Sequence, residues 1–243
     1  MTSPGKLFGV GMGPGDAGYV TLRAREVVLE AGLVAHFAKK GRRGHARTIA
    51  DAAIGTAGRE MALVYPVTTE IAVADPGYGA AITAFYDEAA GAIARELAAG
   101  IDVAVLCEGD PFFYGSFMHL WRRLRGRFAV EVVPGVTGMS GCWSRAGVPI
   151  TWGDDVLTVL PATLAKEDLV RRLGTTDAAV IMKLGRNLPK VRAALIEAGL
   201  IERAVFVERG TMDGEIVCPL AEKADDEAPY FAMVLVPGEG RRL

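Results

Sequence analysis

IDVAVLCEGDPFFYGS, Ile101–Ser116, is the stretch on which the fold turns. Val103, Ala104, Val105 and Leu106 make an apolar run that breaks at Glu108-Gly109-Asp110-Pro111 and restarts as a helix near Ser116. So short a run, closed by Gly and Pro, predicts a buried strand rather than a helix. Open α/β sheets keep their ligands at the carboxyl ends of such strands. Gly109 lets the backbone come close to a bound molecule, Asp110 brings a carboxylate to it, and Pro111 fixes the exit of the chain. Phe112, Phe113 and Tyr114 offer flat apolar faces. The set suits a ligand with a flat ring, a sugar and a positive charge.

The same pattern recurs on either side. Leu7–Gly11 reads as a first strand running into Met12-Gly13-Pro14-Gly15-Asp16, ahead of a helix at Thr21–Ala31. Gly13–Gly18 formally satisfies the GxGxxG dinucleotide pattern. Pro14, however, removes an amide from the loop that would cradle a pyrophosphate, and Asp16 adds a negative charge beside it. The second strand, Leu33–Phe37, also lacks the acid that would hold an adenosine ribose. A dinucleotide is therefore excluded, and the loop is read as a ligand-facing turn. Phe128–Val133 reads as a fifth strand, ending in Pro134-Gly135-Val136-Thr137-Gly138. These three strand ends are expected to open toward one crevice. Between them lie a third strand at Met61–Tyr65, a loop with Pro66, Thr68, Thr69, Asp75 and Pro76, and a helix at Tyr78–Ala99. That helix carries Ile82, Phe85, Ala89 and Ile93 on a core face.

Composition narrows the class. The 51% hydrophobic content and 30 glycines fit a compact α/β enzyme with many tight loops. A net charge of −2 supplies no global attraction for nucleic acid. Cys107, Cys142 and Cys218 form no CxxC pair and no cluster with His36, His45 or His119, so a reduced cytoplasmic protein without a metal site is expected. No apolar run approaches the length of a membrane span, and no signal core opens the chain.

Against that balance stands Lys39-Lys40-Gly41-Arg42-Arg43-Gly44-His45-Ala46-Arg47, with no acid between Ala31 and Ala50. It follows the second strand, at the end where ligands bind. Lys39, Lys40, Arg42, Arg43 and Arg47 are thus expected to grip a substrate rich in carboxylates, guanidinium pairing with carboxylate in a two-pronged fashion. Arg122, Arg123 and Arg125 are a second group of cations.

From about Thr151 the texture changes. Strands at Asp155–Leu160, Ala178–Lys183 and Ala204–Val207 alternate with helices at Lys166–Leu173 and Leu188–Ala198. Glu215–Cys218 and Tyr230–Val236 close the chain as two further strands around an acidic link. Strands in such close succession predict a second, mixed sheet. Domains are expected at 1–118 and 119–243, with a boundary as late as about 152.

Five segments in this order resemble the tetrapyrrole methyltransferase family: GVGMGPGD at Gly9–Asp16, EGDPFFYG at Glu108–Gly115, VVPGVTG at Val132–Gly138, IMKLGRN at Ile181–Asn187 and ERGT at Glu208–Thr211. The resemblance implies two α/β domains, the first sheet mostly parallel and the second mixed, with S-adenosylmethionine (SAM) in the cleft between them, and a homodimer. It places SAM contacts at Pro14, Glu108, Gly109, Asp110, Phe113, Thr137, Gly138, Met182 and Gly210. AHFAKKGRRGHARTIAD with VYPVTTE (Val64–Glu70) is most similar to the branch serving cobalamin synthesis. It implies C(20)-methylation of precorrin-2, a macrocycle with eight carboxylates, either metal-free or cobalt-loaded. The branch acting on uroporphyrinogen has an acid where Phe37 stands here, after His36. His36, Asp16 and Asp110 are the candidate bases, Asp110 being equally able to hold SAM or its own loop. A ribosomal RNA methyltransferase and a non-catalytic SAM-binding module are the competing readings; the charge balance disfavours the first and the intact turns the second.

Overall fold

The computed structural model describes residues 3–55, 58–66 and 76–240. The chain divides into two compact units between Thr137 and Gly138.

The first unit runs β1 (Leu7–Gly11), α1 (Leu22–Glu30), β2 (Leu33–Ala38), α2 (His45–Ile54), β3 (Glu60–Val64), α3 (Pro76–Ala98), β4 (Val103–Cys107), α4 (Phe117–Leu124) and β5 (Val130–Val133). Its strands lie in the order β3-β2-β4-β1-β5, and every described pairing is parallel. Alternate side chains feed opposite layers. Leu7, Leu33, Ala35, Val103 and Val105 pack with Phe85, Ile93 and Leu97 of α3 and Phe117, Leu120 and Leu124 of α4. Phe8, Val10, Val34, Ala104 and Leu106 pack with Ala24, Val27 and Val28 of α1 and Ala46, Ile49 and Ala50 of α2. Helices on both faces explain why β1 and β4 are buried at every position, and why they read as unbroken apolar runs. Thr21 caps α1, its hydroxyl accepting from the Ala24 amide at 3.1 Å.

Several boundaries differ from the sequence reading, each for a local reason. β5 begins at Val130 because the Phe128 and Arg127 amides bond back to the Leu124 carbonyl and close α4. The strand expected from Asp155 begins at Leu157, since the Asp155 carboxylate accepts the amides of Trp152 (3.1 Å) and Gly240 (3.3 Å) in a turn. A domain boundary at 118/119 would cut α4 and detach β5 from its partner β1. The division at Thr137/Gly138 keeps both whole. Thr68, Thr69, Asp75 and the end of the VYPVTTE motif lie outside the described residues.

The second unit comprises α5 (Gly138–Ala146), β6 (Leu157–Pro161), α6 (Lys166–Leu173), β7 (Ala178–Met182), α7 (Leu188–Glu197), β8 (Val205–Glu208), β9 (Ile216–Pro219) and β10 (Ala232–Val236). The sheet order is β6-β7-β10-β8-β9. β6 and β7 are parallel and the other pairs antiparallel, so this sheet is mixed. One face packs Leu160, Ile181, Phe206 and Val234 against Leu169 and Leu173 of α6 and Leu188, Val191 and Leu195 of α7. The other packs Val180, Val207 and Leu235 against Cys142 of α5 and Ile150. Among the described residues no helix is long and apolar enough to cross a membrane, and no group of three or more His, Cys, Asp or Glu side chains is placed to hold a metal ion.

Candidate functional site

β4, β1 and β5 are neighbours in the first sheet, so the turns leaving their carboxyl ends meet. They meet backbone to backbone. The Met12 amide donates to the Cys107 carbonyl and the Gly109 amide to the Gly13 carbonyl, both at 2.8 Å. Gly13 (φ 80°) and Gly109 (φ 62°) are left-handed, a conformation that favours glycine. A Cβ on Gly11 would sit 2.6 Å from the Gly135 Cα, and one on Gly135 would sit 2.1 Å from the Gly109 carbonyl oxygen. Asp110 ties two of the turns together, accepting the Phe112 amide at 2.8 Å and the Gly135 amide at 3.1 Å. The result is a cradle of main-chain atoms in which no side chain fits.

Asp16 accepts the Gly18 amide at 2.7 Å and caps the short turn at Ala17–Tyr19. Pro14 is buried beside the cradle. Phe112 rests edge-on against Trp121 and Phe113 edge-on against Tyr114. Tyr114 itself is left-handed (φ 56°), an unfavourable conformation for a bulky residue, directly after the Gly109–Phe113 turn.

Glu108 ends this strand. Its side chain keeps access to water, yet the protein around it crowds the carboxyl and pushes its pKa up to about 7, opposed by the Ala46 amide of α2 that donates to it. Water reaching the group makes that value an upper bound. The neighbouring Cys107 thiol is fully enclosed, and burial raises its pKa so far that it is inert.

The basic segment separates into two kinds of cation. Lys39, Lys40 and Arg42 are exposed. Arg47 is fully buried; its Nη1 lies 2.7 Å from Asp51 Oδ1 and its Nε 3.2 Å from Glu60 Oε2. Those contacts are close but not aligned as hydrogen bonds, so charge holds the guanidinium in place. Arg43, half-exposed, pairs with Asp51 at 2.5 Å and lies 3.6 Å from Glu60. Glu60 also meets His36 Nε2 at 2.7 Å. Burial pushes the Glu60 carboxyl up, but the close contacts of Arg47 and His36 and the charges of Arg47 and Arg43 together hold it below the usual range. His36 is buried, its Nδ1 without a partner. The expectation that Arg47 presents its charge to a ligand is therefore corrected: Asp51 and Glu60, both outside the acid-free stretch, approach in space and neutralise it. Gly44 marks how tightly this corner is packed, since a Cβ there would lie 1.9 Å from the Phe37 carbonyl oxygen.

Two features escaped the sequence reading. Tyr65 and Tyr86 both hydrogen-bond Ser116, the residue before α4. The Phe37 ring stacks on Tyr65 at 5.6 Å. Only pairing of distant elements brings these rings together, and no local motif announces it. Tyr86 also stacks on His119 at 4.1 Å, whose imidazole pKa is lowered by burial and by Arg123 and Arg122.

In the second unit Met182 ends β7, half-buried, and is followed by left-handed Lys183. Gly210 lies between left-handed Arg209 and Thr211. A Cβ on Gly210 would come within 2.9 Å of Cys142 Sγ, and burial pushes that thiol up to about 12. Gly138 opens α5 against Met233, 3.1 Å from where its Cβ would be. Of these, Gly210 is the one seen packed on α5, through Cys142.

The model of the tetrapyrrole (corrin/porphyrin) methylases matches residues 6–224. A precorrin-2 C(20)-methyltransferase of Sinorhizobium sp. is 56% identical over 96% of both chains. A cobalt-precorrin-2 C(20)-methyltransferase of Salmonella typhimurium is 27% identical over 96% of both. Among solved structures, a cobalt precorrin-4 methyltransferase superposes with a TM-score of 0.72 at 21% identity, over 96% of this chain and 94% of that one. A uroporphyrin-III C-methyltransferase of Thermus thermophilus in complex with S-adenyl homocysteine does so with 0.67 at 24%, over 98% and 94%.

Proposed function

Because the chain belongs to the tetrapyrrole (corrin/porphyrin) methylases, we propose that it transfers a methyl group from SAM to C(20) of precorrin-2. The 56% identity to the Sinorhizobium enzyme, spread over 96% of both chains, carries the choice of substrate.

The cradle fits the methyl donor. Gly11 and Gly135 pack where a Cβ would strike the backbone of a neighbouring turn, and Gly13 and Gly109 are left-handed, so these turns present main chain rather than side chains, which suits a flat, polar ligand held by the backbone. SAM supplies a methyl group on a sulfonium centre. Pro14, Glu108, Gly109, Asp110, Phe113 and Thr137 in the first unit, and Gly138, Met182 and Gly210 in the second, are the proposed contacts on the motif match. Asp110, with both oxygens already taking backbone amides, shapes the cradle rather than accepting a proton. Asp16 likewise serves its own turn, and His36 is buried in the Glu60 cluster. Lys39, Lys40 and Arg42, exposed after β2, are the cations proposed for the substrate carboxylates, with half-exposed Arg43 shared between them and Asp51. Holding donor and acceptor carbons near contact distance, on the order of 3–3.5 Å, is the protein's main contribution to an in-line transfer.

Incubation with SAM and precorrin-2 should yield a product heavier by one methyl group; no methylated product would refute the reading. A second reading, cobalt-loaded precorrin-2 as substrate, is favoured by the 27% identical Salmonella enzyme. The two macrocycles supplied in competition should separate them, with the metal-free form preferred. A homodimer in the cytoplasm completes the proposal, supported by the family resemblance and checked for assembly by sedimentation.

A further inference from the structure

Carbon methylation at a ring C–H position has a second half that the cradle does not explain. The ring's electron pair forms the new C–C bond, and the macrocycle is left with one extra positive charge. Neutrality returns when the macrocycle gives up a proton; breaking the C(20)–H bond returns its pair to the ring and sends its proton to a base. Resting on the methyltransferase reading above, we propose that Glu108 is that proton acceptor.

The carboxylates at the carboxyl ends of β1, β2, β4 and β5 are few. Asp16 caps its own turn through the Gly18 amide. Asp110 accepts two amides, from Phe112 and Gly135, and protonating it would loosen the cradle. His36 is buried in contact with Glu60, and Glu60 is occupied by Arg47 and Arg43 as well. Glu108 alone among these has no side-chain partner in the described structure, and it keeps access to solvent.

Its position is fixed without being consumed. Leu106 points to the α2 layer, and Glu108, two residues on, faces the same side, where the Ala46 amide in the first turn of α2 donates to it. One amide orients the carboxylate and leaves lone pairs for a proton. The charged and titratable groups on the elements around it are Asp16 after β1, His36 in β2, His45, Arg47 and Asp51 in α2, Asp110 on its own turn and the Cys107 thiol beneath. Arg47 and Asp51 neutralise each other, and among the described residues no cation contributes to holding the carboxylate ionised. Crowding raises the carboxyl pKa to about 7, which makes the ionised form a stronger base near neutral pH than an ordinary glutamate. The consequence has a definite sign: Glu108 is protonated and idle on the acid side of its raised pKa, so turnover should fall there.

The test is Glu108→Gln, with Glu108→Asp beside it, in steady-state turnover of precorrin-2 across pH and in calorimetric titration with SAM. Positioned acid–base groups contribute roughly 10²–10⁴-fold. The glutamine variant, which keeps a side-chain oxygen for any SAM contact, should lose about 100-fold or more in kcat at saturating SAM and lose the acid limb of the pH profile. The aspartate variant should recover part of the rate. Parental kcat at saturating SAM with an unchanged pH profile would overturn the proposal. So would a weakened SAM affinity with kcat preserved, which would make Glu108 a cofactor contact only. A parent protein that gives no methylated product would instead refute the methyltransferase reading.

Discussion

The turns after β1, β4 and β5 and the charge cluster between α2 and the β2–β3 pair belong to one sheet, yet they are built from different materials. The first is main chain. Its shape comes from positions where a Cβ would lie 2.1–2.7 Å from backbone atoms of another turn. The second is charge, with a fully buried arginine held between two carboxylates and a histidine at the edge of the same cluster. A main-chain cradle has no give, because backbone cannot rotate out of the way. A charge cluster can be weakened by degrees, through substitution, salt or pH. The contrast predicts abrupt failure in one region and graded failure in the other.

The largest effect should follow Gly135→Val. Its first added carbon meets the Gly109 carbonyl at 2.1 Å, so the β4 turn must be displaced. Calorimetry should show SAM binding lost, with affinity down by more than about 100-fold, while overpacking costs stability by roughly 1–3 kcal/mol. Unchanged SAM affinity would remove the cradle from the cofactor site. Next comes Arg47→Met. It leaves Asp51 and Glu60 facing each other without the buried cation. Breaking a buried pair by removing one partner costs about 3–5 kcal/mol; both carboxylates here are about one-third exposed, which places the expected loss at the low end of that range. Thermal unfolding measures it. A melting temperature equal to the parent's would mean that Arg47 is merely accommodated.

These two regions also differ in how far they could be read from residues. The cradle announces itself locally: Gly-Pro, Gly-Asp-Pro and Pro-Gly turns follow apolar runs, and each turn needs a backbone that few residues permit. Strand existence was legible for the same reason, the mixed second sheet from strands in close succession, and the mostly parallel first sheet from the family resemblance. What stayed hidden depends on partners distant in sequence. Lys39–Arg47 looked like one basic surface because Glu60 belongs to the next strand and reaches Arg43, Arg47 and His36 only when β2 and β3 pair. The Tyr65–Ser116–Tyr86 contacts join β3, α3 and α4 in the same way. Glu108 was legible as a motif residue, but its freedom became visible only once the other acids were seen to be occupied.

A smaller effect should separate the two kinds of cation. Lys39→Ala with Arg42→Ala removes exposed charges that have no structural duty, whereas Arg43→Ala removes one that already pairs with Asp51. An exposed pair contributes roughly 0.2–1 kcal/mol, so the Lys39/Arg42 variant, losing two, should weaken precorrin-2 binding by about two- to thirtyfold. The difference should shrink at high salt, because exposed pairs are screened. Arg43→Ala should change binding less than the double variant does. If Arg43→Ala is the more damaging at low salt, the division between free and paired cations is wrong.

The smallest effect should be a pH dependence of stability arising from Glu60. Its carboxyl is held below the usual range in the folded chain by Arg47, His36 and Arg43, so folding favours its ionised form. A depressed carboxylate contributes its stability above the unfolded pKa, about 4.5, and loses it as pH falls through the lower folded value. Melting temperature should therefore drop between about pH 4.5 and the onset of general acid unfolding, and Glu60→Gln should flatten that part of the curve while leaving the rest parallel. Equal acid sensitivity in Glu60→Gln and the parent would mean that Arg47 is stabilised by Asp51 alone, reducing the charge cluster to a pair within α2. The substitution also leaves the glutamine carbonyl as an acceptor for the His36 N–H group. A residual melting-temperature difference above pH 6 would therefore measure the charge of Glu60 and not the loss of its hydrogen bonds.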